Sequence, residues 1–281
     1  MEEITQQQVQ AVLTPRLTDS YKGSFGRILA VGGNENFGGA ITMAAKAAVY
    51  SGAGLVTVAT SKDNLPALHA VVPEAMYINY FDKVALSAAV AQATVTIVGP
   101  GLGTSSRSHE ILQIVLTNFD PAHYLIVDGS ALTLLAQDPK LQALLPAQHV
   151  IFTPHPGEWQ RLTGLTVTEQ DDVSNRQAQQ RFQATVVLKK YHTTIYHADG
   201  TTCQLTVGGP AMATGGMGDT LTGIIAAFLG QFSPAPLTAV VNAAVYTHSA
   251  LADQLALTQH VVVPSVLIDH LPTFIHQLQT P

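Results

Sequence analysis

Six short apolar runs, most of them closed by glycine or a polar cluster, set the limits on how this chain folds. They occupy 27–31, 55–59, 94–98, 124–127, 150–152 and 185–188. Five of them lead into Gly32-Gly33, Gly99-Pro100-Gly101-Leu102-Gly103, Asp128-Gly129, Thr153-Pro154-His155-Pro156-Gly157-Glu158 and Lys189-Lys190. Runs this short and this uniformly apolar are strands buried on both faces, as in a parallel sheet with helices on each side. An alanine-rich helix is expected over 40–50, and another near 110–116. The first, with the strands that flank it, makes a β-α-β unit with a right-handed crossover. Segments 193–197 and 201–206 alternate around Ala198-Asp199-Gly200 and read as a hairpin. Residues 1–20 read as a polar helix and a connector through Pro15, and 239–255 is the longest helical stretch. No linker or compositional break appears. The expectation is one α/β domain over 1–281, with α/β/α layers around a mostly parallel central sheet. In such sheets ligands bind outside the carboxyl ends of the strands, so these motifs should gather along one edge.

Composition narrows the function classes. Only 11% of residues are charged and 47% are apolar, against about 25% charged in an ordinary soluble domain. So little charge hints at subunit contacts or at two buried sheet faces. The formal net charge of −6 offers no basic footprint, and nucleic acid is not an expected partner. One cysteine excludes an internal disulfide and a cysteine-only metal cluster. The start, Met1-Glu2-Glu3-Ile4, lacks the basic and apolar segments of a signal peptide. No apolar run is long enough for a membrane span. The expected location is cytoplasmic.

The stretch Gly215-Gly216-Met217-Gly218-Asp219-Thr220-Leu221-Thr222-Gly223 precedes an apolar helical run. Free amides and the positive dipole end at a helix start attract phosphate. A carboxylate there would repel phosphate and needs its own reason. Asp219 is either a base aimed at the group that attacks the phosphate or a helix cap. Elsewhere, Gly33–Gly38 has P-loop spacing without its Lys-Ser/Thr pair, and no dinucleotide-binding G-x-G-x-x-G occurs. Gly99–Gly103 is a tight turn or a wall that a ligand can approach closely. His155, fixed between two prolines, contacts ligand or lies at the surface. Glu158 caps a helix or orients a hydrated metal ion. Lys189 meets nucleotide phosphates or is solvated. Asp128 serves a ligand or closes an Asx turn. Among eleven histidines no H-E-x-x-H occurs, so a dedicated zinc site is not expected.

Taken in order, Lys22-Gly23-x-x-Gly26, Gly32-Gly33, Gly38-Gly39-Ala40, Gly99–Gly103, Val127-Asp128-Gly129, Thr153–Glu158, Val187-Leu188-Lys189 and Gly215–Gly223 resemble the ADP/ATP-dependent NAD(P)H-hydrate dehydratase family. That family belongs to the ribokinase-like superfamily, and the resemblance covers about 20–270. It implies phosphoryl transfer from ADP (or ATP) to the hydroxyl of hydrated NADH or NADPH. Loss of phosphate then restores the nicotinamide double bond, and ADP leaves as AMP. It further implies Asp219 as the base, with Gly216 and Gly218 stabilising the transferring phosphoryl group. Lys189, Lys190, Tyr191, His192 and Thr193, with Gly218, would hold the AMP part. Ala40, Gly103 and His155, with Asp219, would line the hydrate site. Mg²⁺ would be held mainly by phosphates and water, with Glu158 a possible contributor. A homo-oligomer, a tetramer, is implied.

Four positions depart from the family pattern. Met217 replaces a usual Thr, Lys190 a usual Gly, and Gly129-Ser130 stands where Ala and Asp or Gly are commoner. The first two bear on nucleotide affinity and on the choice of ADP over ATP. The alternative readings are a ribokinase-like, ATP-dependent kinase of a small molecule such as a vitamin precursor, and a non-catalytic nucleotide-binding module.

Overall fold

The computed structural model describes residues 1–279. Its strands are β1 (Glu2–Glu3), β2 (Arg27–Val31), β3 (Leu55–Thr60), β4 (Met76–Asn79), β5 (Val95–Val98), β6 (Tyr124–Val127), β7 (Val150–Phe152), β8 (Thr185–Leu188), β9 (Thr194–Tyr196) and β10 (Thr202–Gln204). Its α-helices are α1 (Gln6–Val12), α2 (Gly38–Tyr50), α3 (Leu65–Val71), α4 (Lys83–Gln92), α5 (Ser106–Asn118), α6 (Gly129–Gln137), α7 (Pro139–Gln142), α8 (Pro156–Thr163), α9 (Asp172–Phe182), α10 (Met217–Gln231), α11 (Leu237–Ala256) and α12 (Pro264–Gln279).

The strands form one sheet in the order β4-β3-β2-β5-β6-β7-β8-β9-β10-β1. Every pairing from β4 to β8 is parallel. The hairpin turns the sheet antiparallel at β9 and β10, and β1 closes that end parallel to β10. The first strand lays Glu2 beside Cys203, the one thiol of the chain, which is buried. The chain runs from β2 to β3 on one side and from β5 to β6 on the other, so the direction of winding reverses between β2 and β5. Such a switch point opens a crevice at the carboxyl edge.

Period-two geometry sorts each strand between two cores. Ile28, Ala30, Val56, Val58, Ile97, Ile126 and Val187 join the core under α1, α2, α10, α11 and α12. Leu29, Val31, Val98, Leu125, Val127, Phe152 and Leu188 join the core under α4, α5, α6, α8 and α9. Three α/β/α layers follow from this alternation.

Two segments differ from the sequence reading. Residues 1–20 are not simply helix and connector: β1 comes first, and α1 stops at Val12. Two residues are too few to show a period. β4 was hidden because it is a half-exposed edge strand with Met76 facing solvent.

α10 is apolar all round because it is buried all round; Ile224, Ile225, Ala226, Ala227 and Phe228 are fully enclosed. Its Gly223 lies against the Ala44 backbone of α2, and a Cβ there would collide with the Ala44 carbonyl oxygen. Small residues on α2 allow that approach. We expect Gly223→Ala to destabilise the fold by roughly 1–3 kcal/mol through overpacking, read as a lower midpoint of denaturant unfolding. An unchanged midpoint would show that the two helices can part without cost.

Candidate active site

The start of α10 is the centre of the site. Gly216 precedes it with φ of 96°, a left-handed conformation that glycine takes without strain. The Thr220 N–H closes the first turn onto the Gly216 carbonyl at 2.9 Å. The amides of Met217, Gly218 and Asp219 therefore lie ahead of the first intrahelical bond and are open to an anion. No side chain caps this helix. The capping alternative for Asp219 is thereby removed.

Lys189 lies across this helix start. A Cβ on Gly218 would sit 2.9 Å from its Nζ, so the bare backbone is what lets the lysine in. The same Nζ donates to Asp128 Oδ1 at 2.7 Å, with the two side chains 21% and 4% exposed. Lys189 is thus not a solvated strand end, and Asp128 makes no Asx or cap bond at the start of α6. The Lys189 N–H donates to the Pro154 carbonyl at 2.8 Å, tying the end of β8 to the loop after β7. Burial pulls the Lys189 ammonium down, but Asp128, then Glu158 and Asp219, hold it above its usual value. Burial and the like charge of Asp128 push the Asp219 carboxyl up to about 7, with Glu158 adding to the rise and Lys189 opposing it. One ammonium and three carboxylates therefore form a single electrostatic unit.

The other expected residues share this edge. His155 begins α8, its Nδ1 accepting from the Gly157 and Glu158 amides at 3.0 and 3.3 Å. Glu158 Oε2 accepts from the His155 N–H at 2.8 Å, so capping is the observed work of Glu158. About half of the His155 side chain stays exposed. Ala40, in the first turn of α2, abuts Gly101, where a Cβ would stand 3.1 Å away. Gly103, at φ of 79°, donates its N–H to Ser130 Oγ at 3.0 Å. Asn34 donates to the Gly101 carbonyl at 2.7 Å and Gly33 to the Pro100 carbonyl at 2.9 Å. These bonds lock together the loops after β2, β5 and β6. Ala40 and Gly103 adjoin the same turn, while His155 stands further along the edge, after β7.

Lys190, Tyr191, His192 and Thr193 line a cavity of about 410 Å³ together with Lys189, Gly218 and the buried Met217. Lys190 and Tyr191 are exposed at its rim, and the Tyr191 ring stacks on His192 with centroids 3.9 Å apart. Among the described residues, no three His, Cys, Asp or Glu gather as a metal cage. The acidic groups present suit a hydrated Mg²⁺ that gets its other ligands from phosphates. Sequence reasoning missed Asp128 as the partner of Lys189. The signal was a carboxylate and a lysine, each ending a buried parallel strand.

Comparison with known proteins gives the family. The family profile described as NAD(P)H-hydrate dehydratase matches residues 28–273. A Lactiplantibacillus plantarum protein named ADP-dependent (S)-NAD(P)H-hydrate dehydratase is 47% identical over 277 residues, covering 99% of this chain and 98% of the relative. The crystal structure of a ribokinase-like superfamily protein from Enterococcus faecalis superposes with a TM-score of 0.95 at 44% identity, covering 100% of this chain and 97% of that one. The Bacillus subtilis ADP/ATP-dependent NAD(P)H-hydrate dehydratase, co-crystallised with ATP/Mg²⁺, gives 0.86 at 30% identity, covering 99% and 98%.

The raised Asp219 carboxyl has a stability consequence. Its folded pKa exceeds its unfolded one, so the folded state binds this proton more tightly. Folding therefore weakens as pH rises from about 4 through about 7, and the cost is complete above that. We expect Asp219→Asn to gain on wild type across that window, by on the order of 2 kcal/mol at pH 8. Denaturant unfolding at pH 4 and pH 8 measures it. A difference that does not change with pH would show that the carboxyl bears no such cost.

Proposed function

The chain belongs to the NAD(P)H-hydrate dehydratase family, and from that premise we propose how its residues divide the reaction. It is an ADP-dependent lyase that returns hydrated NADH or NADPH to the reduced cofactor. A phosphoryl group passes from ADP to the hydroxyl of the hydrate, and AMP is released. The carbon–oxygen bond then breaks as phosphate departs, the neighbouring carbon gives up a proton, and the ring double bond returns.

In our reading Asp219 accepts the proton of the hydrate hydroxyl as that oxygen meets phosphorus. The amides beside Gly216 and Gly218, aided by the Lys189 ammonium, carry charge on the transferring phosphoryl group. Residues Lys189 to Thr193, with Gly218, hold the AMP part. Ala40, Gly103 and His155 line the hydrate. Mg²⁺, when bound, would supply charge neutralisation on the phosphates, held mainly by phosphates and water, with Glu158 as a candidate contributor through that water. The observation that carries this reading is the Asp219 carboxyl: uncapped, raised to about 7, at an open helix start beside Lys189. We read 1–281 as one such domain, working in the cytoplasm as a homotetramer. The scarcity of charged residues supports subunit contacts; a monomeric mass in solution would contradict it.

The direct test is to incubate the protein with hydrated NADH, Mg²⁺ and ADP and to follow the return of dihydronicotinamide absorbance. A strict need for ATP with a stable phosphorylated product would instead mark a kinase. Asp219→Asn should lower kcat by roughly 10²–10⁴ while ADP still binds; near-normal turnover would refute the base. Because the base works ionised, kcat/KM should fall as pH drops below about 7, and a flat profile down to pH 5 would contradict the assignment. His155→Ala should raise KM for the hydrate more than it lowers kcat, and unchanged constants would leave it a surface residue.

A further inference from the structure

The cap at the start of α8 leaves one cation over. Glu158 and Arg161 are neighbours on the helix surface, and an acid and a base three residues apart ordinarily pair. Here the carboxylate is already engaged. Its Oε2 accepts from the His155 N–H at 2.8 Å, and its Oε1 lies 3.6 Å from His155 Nε2. Arg161 is exposed and, among the described residues, makes no hydrogen bond or ion pair. An arginine in the last turn of a helix usually serves the final carbonyls. This one turns the other way. Helical side chains lean toward the amino terminus of their helix, and the guanidinium reaches back to Gly157. A Cβ on Gly157 would stand 4.0 Å from Arg161 Nη1 and 3.0 Å from His155 Cε1. The bare backbone at Gly157 thus lets an imidazole and a guanidinium converge.

Their place narrows what they meet. α8 follows β7 with only a short loop between, so the pair stands at the carboxyl edge of the sheet. Lys189 is committed to Asp128 and to the transferring phosphoryl group. Asp128, Glu158 and Asp219 make the rest of the centre acidic. A hydrated dinucleotide brings a diphosphate that joins its two halves and takes no part in the reaction. Near so many carboxylates that bridge needs a cation of its own. A planar guanidinium without a protein partner matches phosphate oxygens two at a time.

We propose that Arg161 binds the diphosphate bridge of the hydrated dinucleotide and so selects the whole dinucleotide over its nicotinamide end. This rests on the reading of His155 as a wall of the hydrate site. Arg161 is a specificity residue: it touches neither the reacting oxygen nor the donor nucleotide.

Two substrates of the full chain, each with Mg²⁺ and ADP, test the proposal. One is hydrated NADH. The other is the hydrate of reduced nicotinamide riboside, which keeps the reacting ring and its ribose and has no phosphate. Arg161→Gln should raise KM for hydrated NADH roughly 10- to 100-fold, the worth of a charge-assisted hydrogen bond, with kcat close to wild type. Its kcat/KM for the riboside should not move, and Arg161→Lys should recover part of the loss. Where the riboside turns over too slowly to assay, its Ki against hydrated NADH gives the same comparison. An arginine that only supports α8 would weaken both substrates alike, which overturns the proposal, as does an unchanged KM. A loss confined to hydrated NADPH would put the 2′-phosphate at the guanidinium and overturn it too. So would a weaker Kd for ADP in the variant, measured by calorimetry, since that would place Arg161 on the donor. A wild type that restores no NADH at all would remove the dehydratase reading itself, a result distinct from an active wild type whose KM ignores Arg161.

Discussion

The ion pair between Lys189 and Asp128 is the interaction on which the site depends. Without it, three carboxylates would face one another at a helix start that invites phosphate. The lysine offsets part of that charge, and the pair, 2.7 Å long and largely enclosed, is kept in place by the strands that carry it. Asp128 ends β6 and Lys189 ends β8, two strands apart in a parallel sheet. Neither residue could be moved without moving a strand that is fully buried. The remaining imbalance falls on Asp219. Burial and the neighbouring carboxylates raise the pKa of that side chain to about 7.

Much of the architecture was legible because buried parallel strands announce themselves as unbroken apolar runs. The positions of β2, β3, β5, β6, β7 and β8 were all readable in this way, and the hairpin followed from its alternation around Ala198-Asp199-Gly200. β1 and β4 escaped because one is two residues long and the other is a half-exposed edge. At the site, Gly216 and Gly218 were legible because a helix start with bare backbone has a sequence signature. The roles of Asp128 and Glu158 were less so. Strand-end carboxylates look alike in sequence, and only pairing across strands separates an Asx turn from an ion pair.

α10 links the core to the chemistry. Its apolar body is enclosed between the sheet, α2 and α11, and its first turn presents the open amides. The tight approach at Gly223 fixes the helix along its axis, so the amides need no reorganisation to meet an anion. The loops around them are equally constrained: Asn34, Gly33 and Gly103 bond across three different connections. Stability and pre-organisation here come from the same packing.

The burial of Cys203 in β10, beside β1, has a practical side. The sulfur is buried and accepts a hydrogen bond from Asn242 Nδ2 of α11 at 3.3 Å. Burial also keeps that thiol in its unreactive protonated form. The protein thus carries one native thiol whose alkylation would report opening between the hairpin and α11, without any introduced label.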